Sequence, residues 1–165
     1  MGSHIMDKKH FITVLSTQLV LLKELLTLLE QETIELTSIN ITSMETLNQR
    51  KAETTVNIEA QSAVLRQSLA EYAAAHGLSP EITLGTVITM LAGKDILQLH
   101  TELKSVAQRV QDVAALNLEI AERFAETAST SLNLLTRLIN QSSLYGTSGG
   151  YQTRPTGSIM INREA

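Results

Sequence analysis

The sequence from Asp95 to Phe124, DILQLHTELKSVAQRVQDVAALNLEIAERF, has a narrow seam whose positions alternate between steps of three and four without a slip. The seam positions are Ile96, Leu99, Leu103, Val106, Val110, Val113, Asn117, Ile120 and Phe124. Because an α-helix makes one turn in about 3.6 residues, these positions share one face, as they do in coiled coils. The stretch predicts a long helix that begins near Asp95, and the helical pattern continues to Ser142–Ser143.

Asn117 occupies a seam position where an apolar residue is expected. One interpretation is a buried asparagine that fixes the helix register or meets a backbone carbonyl. The other is a polar contact with the helix of a docked partner. The sequence leaves both interpretations open.

Two more long helices are predicted ahead of this stretch. The first, from about Asp7 to Leu36, has an apolar stripe wider than a seam, which indicates more than one packing neighbour. Residues 42–45, TSME, match a capping box, so the second helix is expected to begin at Thr42 and to run to about His76. Polar residues interrupt the stripe of this second helix, and we expect it to be weaker and partly exposed.

A short connector is predicted between the second helix and the last. Gly77 fits a helix C-cap, and Ser79 and Pro80 fit the N-cap and the first position of a short helix. We expect that helix over residues 80–92, ended by Gly93, where it caps one end of a bundle.

Composition favours long helices packed side by side. Apolar residues make up 43% of the 165 residues and aromatic residues only 3%, with two Pro and no Trp. The predicted fold class is all-α: an elongated antiparallel helical bundle of two to three long helices plus one short connector helix, with a flexible C-terminal tail. Residues 1–6, MGSHIM, are typical of an expression-vector remnant, residues 7–143 are expected to form the bundle, and residues 144–165 the tail.

Charge and hydropathy exclude two classes of partner. The net charge is −4 at pH 7 and no basic cluster occurs, so nucleic-acid binding is not expected. The longest purely apolar run is Leu19–Leu22, far below the ~20 residues that span a bilayer, so membrane insertion is not expected. The absence of cysteine excludes disulfides and thiolate metal sites and fits a reducing cytoplasm.

The sequence also lacks the residue patterns of catalytic and cofactor sites. Its histidines make no paired metal-ligand spacing, and the carboxylates are spread along predicted helix surfaces. The glycine-rich segment 146–150 does not lie between a strand and a helix, as a phosphate-binding loop requires. We therefore expect no enzyme activity, no cofactor and no metal.

The end of the last helix stays apolar after its seam has thinned, which predicts a surface that a partner protein covers. An amphipathic partner helix is expected to bury its apolar face there, with the tail clasping or mimicking it. The candidate partner-binding residues are Asn117 in the seam, Leu132, Leu135, Leu138 and Ile139 on the late helix, and Leu144, Tyr145, Ile159, Met160 and Ile161 in the tail.

From Asp7 onward, the order of elements resembles the FlgN family of flagellar export chaperones. The resemblance rests on the leucine-rich residues 19–32 followed by residues 47–51, LNQRK, on residues 113–117, VAALN, and on the ending at residues 145–149, YGTSG.

The resemblance implies a cytoplasmic chaperone of the flagellar type III export system. Such a chaperone binds hook-associated proteins, also called hook–filament junction proteins, and holds their aggregation-prone helical ends before export. Components of the export apparatus form a second implied class of partner. We also expect the free chain to self-associate through the surface that binds cargo, which would make it a homo-oligomer.

The alternative interpretation is a structural or signalling coiled coil. Residues 105–131 combine small and polar residues with a Val/Ile seam, as the rod of a receptor or a filament does. That interpretation predicts an obligate oligomer that does not bind helical peptides.

Overall fold

The chain is all-α in the computed structural model, which describes the backbone of residues 2–142 and the side chains of residues 8–139. The helices within that range are α1 (Gly2–Ser38), α2 (Ile41–Ala75), α3 (Leu84–Leu91) and α4 (Lys94–Ser142). No strand occurs between residues 2 and 142. The predicted fold class is confirmed, with three long helices and one short connector.

α1 and α2 pack against each other as an antiparallel pair. Near the start of α1, His10 shares a hydrogen bond of 2.8 Å with Ser68 from the end of α2. Near the end of α1, Glu32 pairs with Lys51 from the first half of α2. The chain therefore reverses between Ser38 and Ile41 and runs back along α1.

The polar residues that interrupt the apolar stripe of α2 lie partly in its packed face. Thr54 is buried, and Gln61 is half-buried. The side-chain amide of Gln61 donates to the carbonyl oxygen of Val14 at 3.2 Å, so it reaches the backbone of α1. Gln18 on α1 likewise donates to the hydroxyl of Ser62 on α2 at 3.2 Å. Because polar groups cost free energy when they are buried without a partner, these two cross-helix bonds help a polar face to pack.

α4 runs parallel to α1 over its first part. Three ion pairs connect the two helices in matching order: Lys8–Asp95 at 2.7 Å, Lys23–Glu102 at 2.6 Å and Glu30–Arg109 at 2.6 Å. Between them lies an apolar cluster of α1 and α4 whose buried members are Leu19, Leu26 and Val106. The predicted seam of α4 thus faces α1.

The larger apolar core lies where α1, α2, α3 and the start of α4 meet. Its buried members are Phe11, Leu15, Tyr72, Val87, Ile88, Leu91 and Ile96. The rings of Phe11 and Tyr72 meet edge to face, with centroids 5.7 Å apart. This arrangement is the cap on one end of a bundle that the connector was expected to provide.

Two helix starts differ from the predicted ones because other side chains cap them. α2 is capped by Asn40, whose Oδ1 accepts from the backbone N–H of Ser43 at 3.3 Å, so the helix begins before Thr42. α3 is capped by Thr83, whose Oγ1 accepts from the N–H of Thr86 at 3.3 Å. The prediction of Ser79 as the cap was therefore wrong, and residues before Thr83 form a turn.

The end of α2 has the predicted glycine. Gly77 has a φ of +63°, in the left-handed region that favours glycine. Its N–H donates to the carbonyl of Ala74, and the N–H of Leu78 donates to that of Ala73 at 2.9 Å. These two bonds form a Schellman motif, which satisfies carbonyls that the helix leaves open.

By its internal contacts the chain divides into two units, Met1–Ala121 and Glu122–Ala165. The first unit holds α1 to α3, the packed part of α4 and both apolar clusters. In the second unit the structure describes residues 122–142, which are helical. The predicted boundary after residue 143 and the predicted tail, residues 144–165, lie outside the described residues and stay predictions.

Within Lys8–Ser38 of α1, an 18-residue window has a mean hydropathy of 1.6, so this helix is long and apolar enough to cross a membrane by length and composition alone. The core helix of a soluble protein passes the same test. Phe11, Leu15 and Leu28 of this helix are at most 1% exposed. Part of the apolar surface of α1 therefore lies in the core of the bundle, whereas Val20 and Ile34 are 64% and 65% exposed.

Candidate functional site

The C-terminal part of α4 exposes an apolar face. Every residue from Ala121 to Ile139 is exposed, whereas Val106 and Asn117 in the earlier seam are buried. The largest apolar side chains near the end of this stretch are more than half exposed: Leu132 (63%), Leu134 (54%), Leu135 (54%), Leu138 (61%) and Ile139 (66%). We call these five residues the distal face.

The distal face has the spacing of a helix that docks onto another helix. Leu132, Leu135 and Ile139 follow one another by three and four residues and so share one side of α4. The hydroxyl of Thr136 donates to the carbonyl oxygen of Leu132 at 2.8 Å, so its proton is used within the helix. Covering each half-exposed aliphatic side chain would contribute on the order of 1 kcal/mol.

Four of the ten predicted binding residues belong to this face. Leu132, Leu135, Leu138 and Ile139 are accessible on one helix, and Leu134 joins them although the sequence analysis did not select it. Leu134 could have been selected from the sequence, because five of the eight residues from Leu132 to Ile139 are large and apolar. The predicted tail residues lie outside the described part of the chain: Leu144, Tyr145, Ile159, Met160 and Ile161.

The remaining predicted site residue, Asn117, is buried at 5% exposure. Its Nδ2 donates to the carbonyl oxygen of Leu29 at 2.8 Å and to Oε2 of Glu32 at 2.9 Å. Its Oδ1 accepts from the hydroxyl of Thr33 at 2.6 Å. This is the geometry of an asparagine that meets a backbone carbonyl and fixes the register of α4 against α1. Its role in cargo binding stays a prediction.

The Asn117 contacts continue into α2 through Glu32, which is 8% exposed. Lys51 forms an ion pair and hydrogen bond with Oε1 of Glu32. Asn117, Glu32 and Lys51 thus connect α4, α1 and α2 near the α1–α2 turn. The sequence analysis gave Glu32 and Lys51 no such role, because nothing local marks residues 19 positions apart as partners.

Several acidic side chains of the described residues form ion pairs between helices. Within residues 8–139, no group of three or more His, Cys, Asp or Glu side chains is arranged to hold a metal ion. The carboxylates of Asp95, Glu102 and Glu30 are paired with cations across the α1–α4 interface. The end of α4, by contrast, presents exposed apolar side chains.

The comparison with protein families gives a match to the family described as FlgN protein, over residues 6–153. The chain belongs to the FlgN family. The match contains Leu144 and Tyr145, and it stops before the run Ile159–Ile161. No curated protein and no solved structure matches the chain.

Membership of the FlgN family supports a role as a flagellar export chaperone. Chaperones of the FlgN family bind flagellar proteins, and the family is not known for enzymatic activity. The all-α bundle that helical periodicity and composition predicted is compatible with this family.

Proposed function

We propose that this FlgN-family protein binds the amphipathic terminal helices of flagellar hook-associated proteins in the cytoplasm and keeps them unassembled before type III export. Hook-associated proteins carry such helices at their ends, and those helices aggregate when they are left uncovered. The chaperone covers them until they reach the export apparatus, which is its second partner. Binding itself needs no nucleotide and no cofactor.

The observation that carries this proposal is the exposure of α4 beyond Ala121. Most helices in proteins owe their stability to the packing of an apolar face rather than to their intrinsic propensity. Here five large aliphatic side chains are more than half exposed within eight residues. Contiguous exposed apolar residues of this kind mark protein-interaction sites.

The cargo helix lays its apolar side on the distal face. Leu132, Leu135, Leu138 and Ile139 form the floor, and the tail residues Leu144 and Tyr145 with the run Ile159–Ile161 close over the cargo. Covered apolar area drives binding at about 25 cal/mol per Å², less the cost of ordering the cargo and the tail. Because the complex has to separate at the export gate, we expect a Kd on the order of micromolar to tens of nanomolar.

Titration calorimetry with synthetic C-terminal segments of hook-associated proteins tests the proposal directly. Binding in the stated range is expected for the full chain. Deleting residues 144–165 should weaken it at least about tenfold while leaving the circular dichroism and the Tm nearly unchanged. An unchanged affinity after this deletion would remove the tail from the mechanism, and no binding by the full chain would refute the proposal.

The same samples distinguish the coiled-coil alternative. A structural coiled coil would sediment as an obligate oligomer at every concentration and would ignore the hook-associated segments. The chaperone is expected to self-associate only as its concentration rises, and added cargo should dissociate the assembly because both use the distal face. Sedimentation velocity over a range of concentrations, with and without cargo, separates these outcomes.

A further inference from the structure

A second exposed apolar surface lies in the first unit, between α3 and the start of α4. It is an open groove of 610 Å³ whose lining includes Thr86, Ile88, Thr89, Met90, Leu97 and His100. Ile88 is buried, whereas Met90 and Leu97 are 41% and 56% exposed. The residues of the distal face are not part of this groove.

The threonines of the groove use their hydroxyl groups among themselves or on their own helix. Thr89 donates to the carbonyl oxygen of Gly85 at 2.9 Å. The hydroxyls of Thr83 and Thr86 share a hydrogen bond of 2.9 Å. These bonds use the Thr89 proton and one of the two protons of the Thr83–Thr86 pair, so Met90 and Leu97 supply most of what the groove offers to an apolar side chain.

The α4 side of the groove is positively charged. Lys94 and Lys104 are exposed, and their spacing from Leu97 and His100 by three and four residues places them on the same side of the helix. His100, which lines the groove, has a pKa that is lowered by burial and, secondly, by the charge of Lys104. Lys94 and Lys104 thus flank the groove on α4, although neither is among its lining residues and the chain as a whole is acidic.

Among the side chains of residues 8–139, no carboxylate forms an ion pair with Lys94 or Lys104. Asp95 and Glu102 point to α1, where Lys8 and Lys23 bind them at 2.7 and 2.6 Å. Residues 103–111 contain no acidic residue. Glu81 lies on the α3 side, in the turn two residues before the lining residue Thr83, whereas Lys94 and Lys104 are on α4.

We propose that this groove docks a short acidic amphipathic helix of a partner protein. The apolar residues of that helix cover Met90 and Leu97, and its carboxylates pair with Lys94 and Lys104. A helix is favoured because the groove lies between two helices and the described chain offers no strand edge for an extended peptide. Two exposed apolar side chains beside a charged rim are typical of a protein-interaction site. The chaperone can thus hold a cargo helix and an acidic partner on different surfaces.

Selection of peptides from a phage-displayed random library on the full chain tests this inference. The selected peptides are synthesised and titrated against three variants: Leu97→Ser, Lys104→Glu, and Leu135→Ser with Leu138→Ser as the control. We expect a class of acidic amphipathic peptides whose affinity falls at least about tenfold with Leu97→Ser and with Lys104→Glu but does not change in the control. Circular dichroism should be the same for all variants, because the substituted side chains are exposed.

A charge swap makes the test specific for the lysine. Replacing the glutamates of a selected peptide with lysine should abolish binding to the unchanged chain and restore it with Lys104→Glu. The inference is overturned if no selected peptide depends on Leu97, if those that do are basic or uncharged, or if the swap fails. Titration of a hook-associated segment against Leu97→Ser, which is expected to bind normally, reports on the cargo proposal separately.

Discussion

The side-chain amide of Asn117 in α4 donates a hydrogen bond of 2.8 Å to the backbone carbonyl of Leu29 in α1. This bond, with those to Glu32 and Thr33, aligns one turn of α4 with one turn of α1. A seam of apolar residues alone permits the two helices to slide by a heptad, whereas a buried amide can be satisfied in only one register.

Replacing Asn117 with alanine is therefore expected to lower the free energy of unfolding by about 2–3 kcal/mol, because buried partners lose their hydrogen bonds. Urea denaturation followed by circular dichroism measures this change. Asn133→Ala, on the exposed part of the same helix, is the matched control and should stay within about 0.5 kcal/mol of the original chain. Equal effects of the two substitutions would show that the Asn117 contacts do not stabilise the bundle.

Lys51 is expected to matter more to stability than lysines of the exposed pairs. The Lys51 and Glu32 side chains are only 20% and 11% exposed, whereas those of Lys23 and Glu102 are 53% and 46% exposed. Lys51→Met leaves a buried carboxylate without its cation and should cost about 2 kcal/mol, against less than about 1 kcal/mol for Lys23→Met.

Adding Glu32→Gln to Lys51→Met should recover part of the loss, because the double variant has no unpaired buried charge. Urea denaturation of the two single variants and the double variant provides the comparison. A double variant that is less stable than Lys51→Met would contradict this explanation of the loss.

The turn between α1 and α2 contains backbone strain that a single substitution can relieve. Ile39 has a φ of 55°, a region that β-branched residues rarely adopt, and its side chain is 67% exposed. Ile39→Asn should raise the free energy of unfolding by about 0.5–1 kcal/mol, because asparagine tolerates this conformation. Ile41→Asn, at a position that is 79% exposed and helical, should give no such gain.

At Gly77, at the end of α2, a substitution is expected to lower the free energy of unfolding rather than raise it. A Cβ there would meet no atom within 4 Å, so only the positive φ opposes a side chain. Gly77→Ala should lower the free energy of unfolding by about 1 kcal/mol. Thermal denaturation of the Ile39 and Gly77 variants together tests whether φ decides stability at both turns, and a stabilising Gly77→Ala would refute that account.

His100 is expected to titrate below its ordinary pKa of 6.5, because burial disfavours its charged form and Lys104 repels it. NMR titration should show this lowered pKa. Lys104→Gln should raise the pKa of His100 only part of the way to 6.5, because the effect of burial remains. The unfolded chain then takes up this proton at a higher pH than the folded chain. His100 therefore lowers stability as the pH falls from above 6.5 through the folded pKa, and His100→Gln should reduce that loss.

The helices were predictable from the sequence because their signals are local. The unbroken seam from Ile96 to Phe124 identified α4, and Gly77 identified the end of α2. The caps at Asn40 and Thr83 were missed because Thr42 and Ser79 carry equally good local signatures, and only the path of the chain decides between them. The sequence did not predict that the polar face of α2 packs against α1, because its hydrogen-bond partners on α1 lie tens of residues away.

The candidate site was predictable in part. The apolar character of Leu132 to Ile139 follows from the sequence, whereas its exposure depends on where the other helices end. For Asn117 the sequence left two roles open, and the three hydrogen bonds in the structure supply the evidence for the register-fixing one. The sequence alone did not predict the groove beside Leu97, because the groove forms only when α3 packs against α4.

The distal face can be tested apart from stability because its residues are exposed. Leu135→Ser with Leu138→Ser should leave the Tm within about 2 °C of the original value, since these side chains pack little in the free chain. Binding of a hook-associated segment should weaken at least about tenfold, because two anchors of the cargo helix are lost. The measurement is titration calorimetry on samples whose folding has been checked by circular dichroism.

Val20→Ser with Val56→Ser is the matched control for this pair. Those valines are 64% and 63% exposed on α1 and α2, so the control removes a similar amount of exposed apolar surface elsewhere. If cargo binding depends on general hydrophobicity, both double variants should lose affinity equally. If the cargo helix docks on the distal face, only the leucine variant should lose it, since a docked helix makes its contacts through a few positions on one side of its receptor.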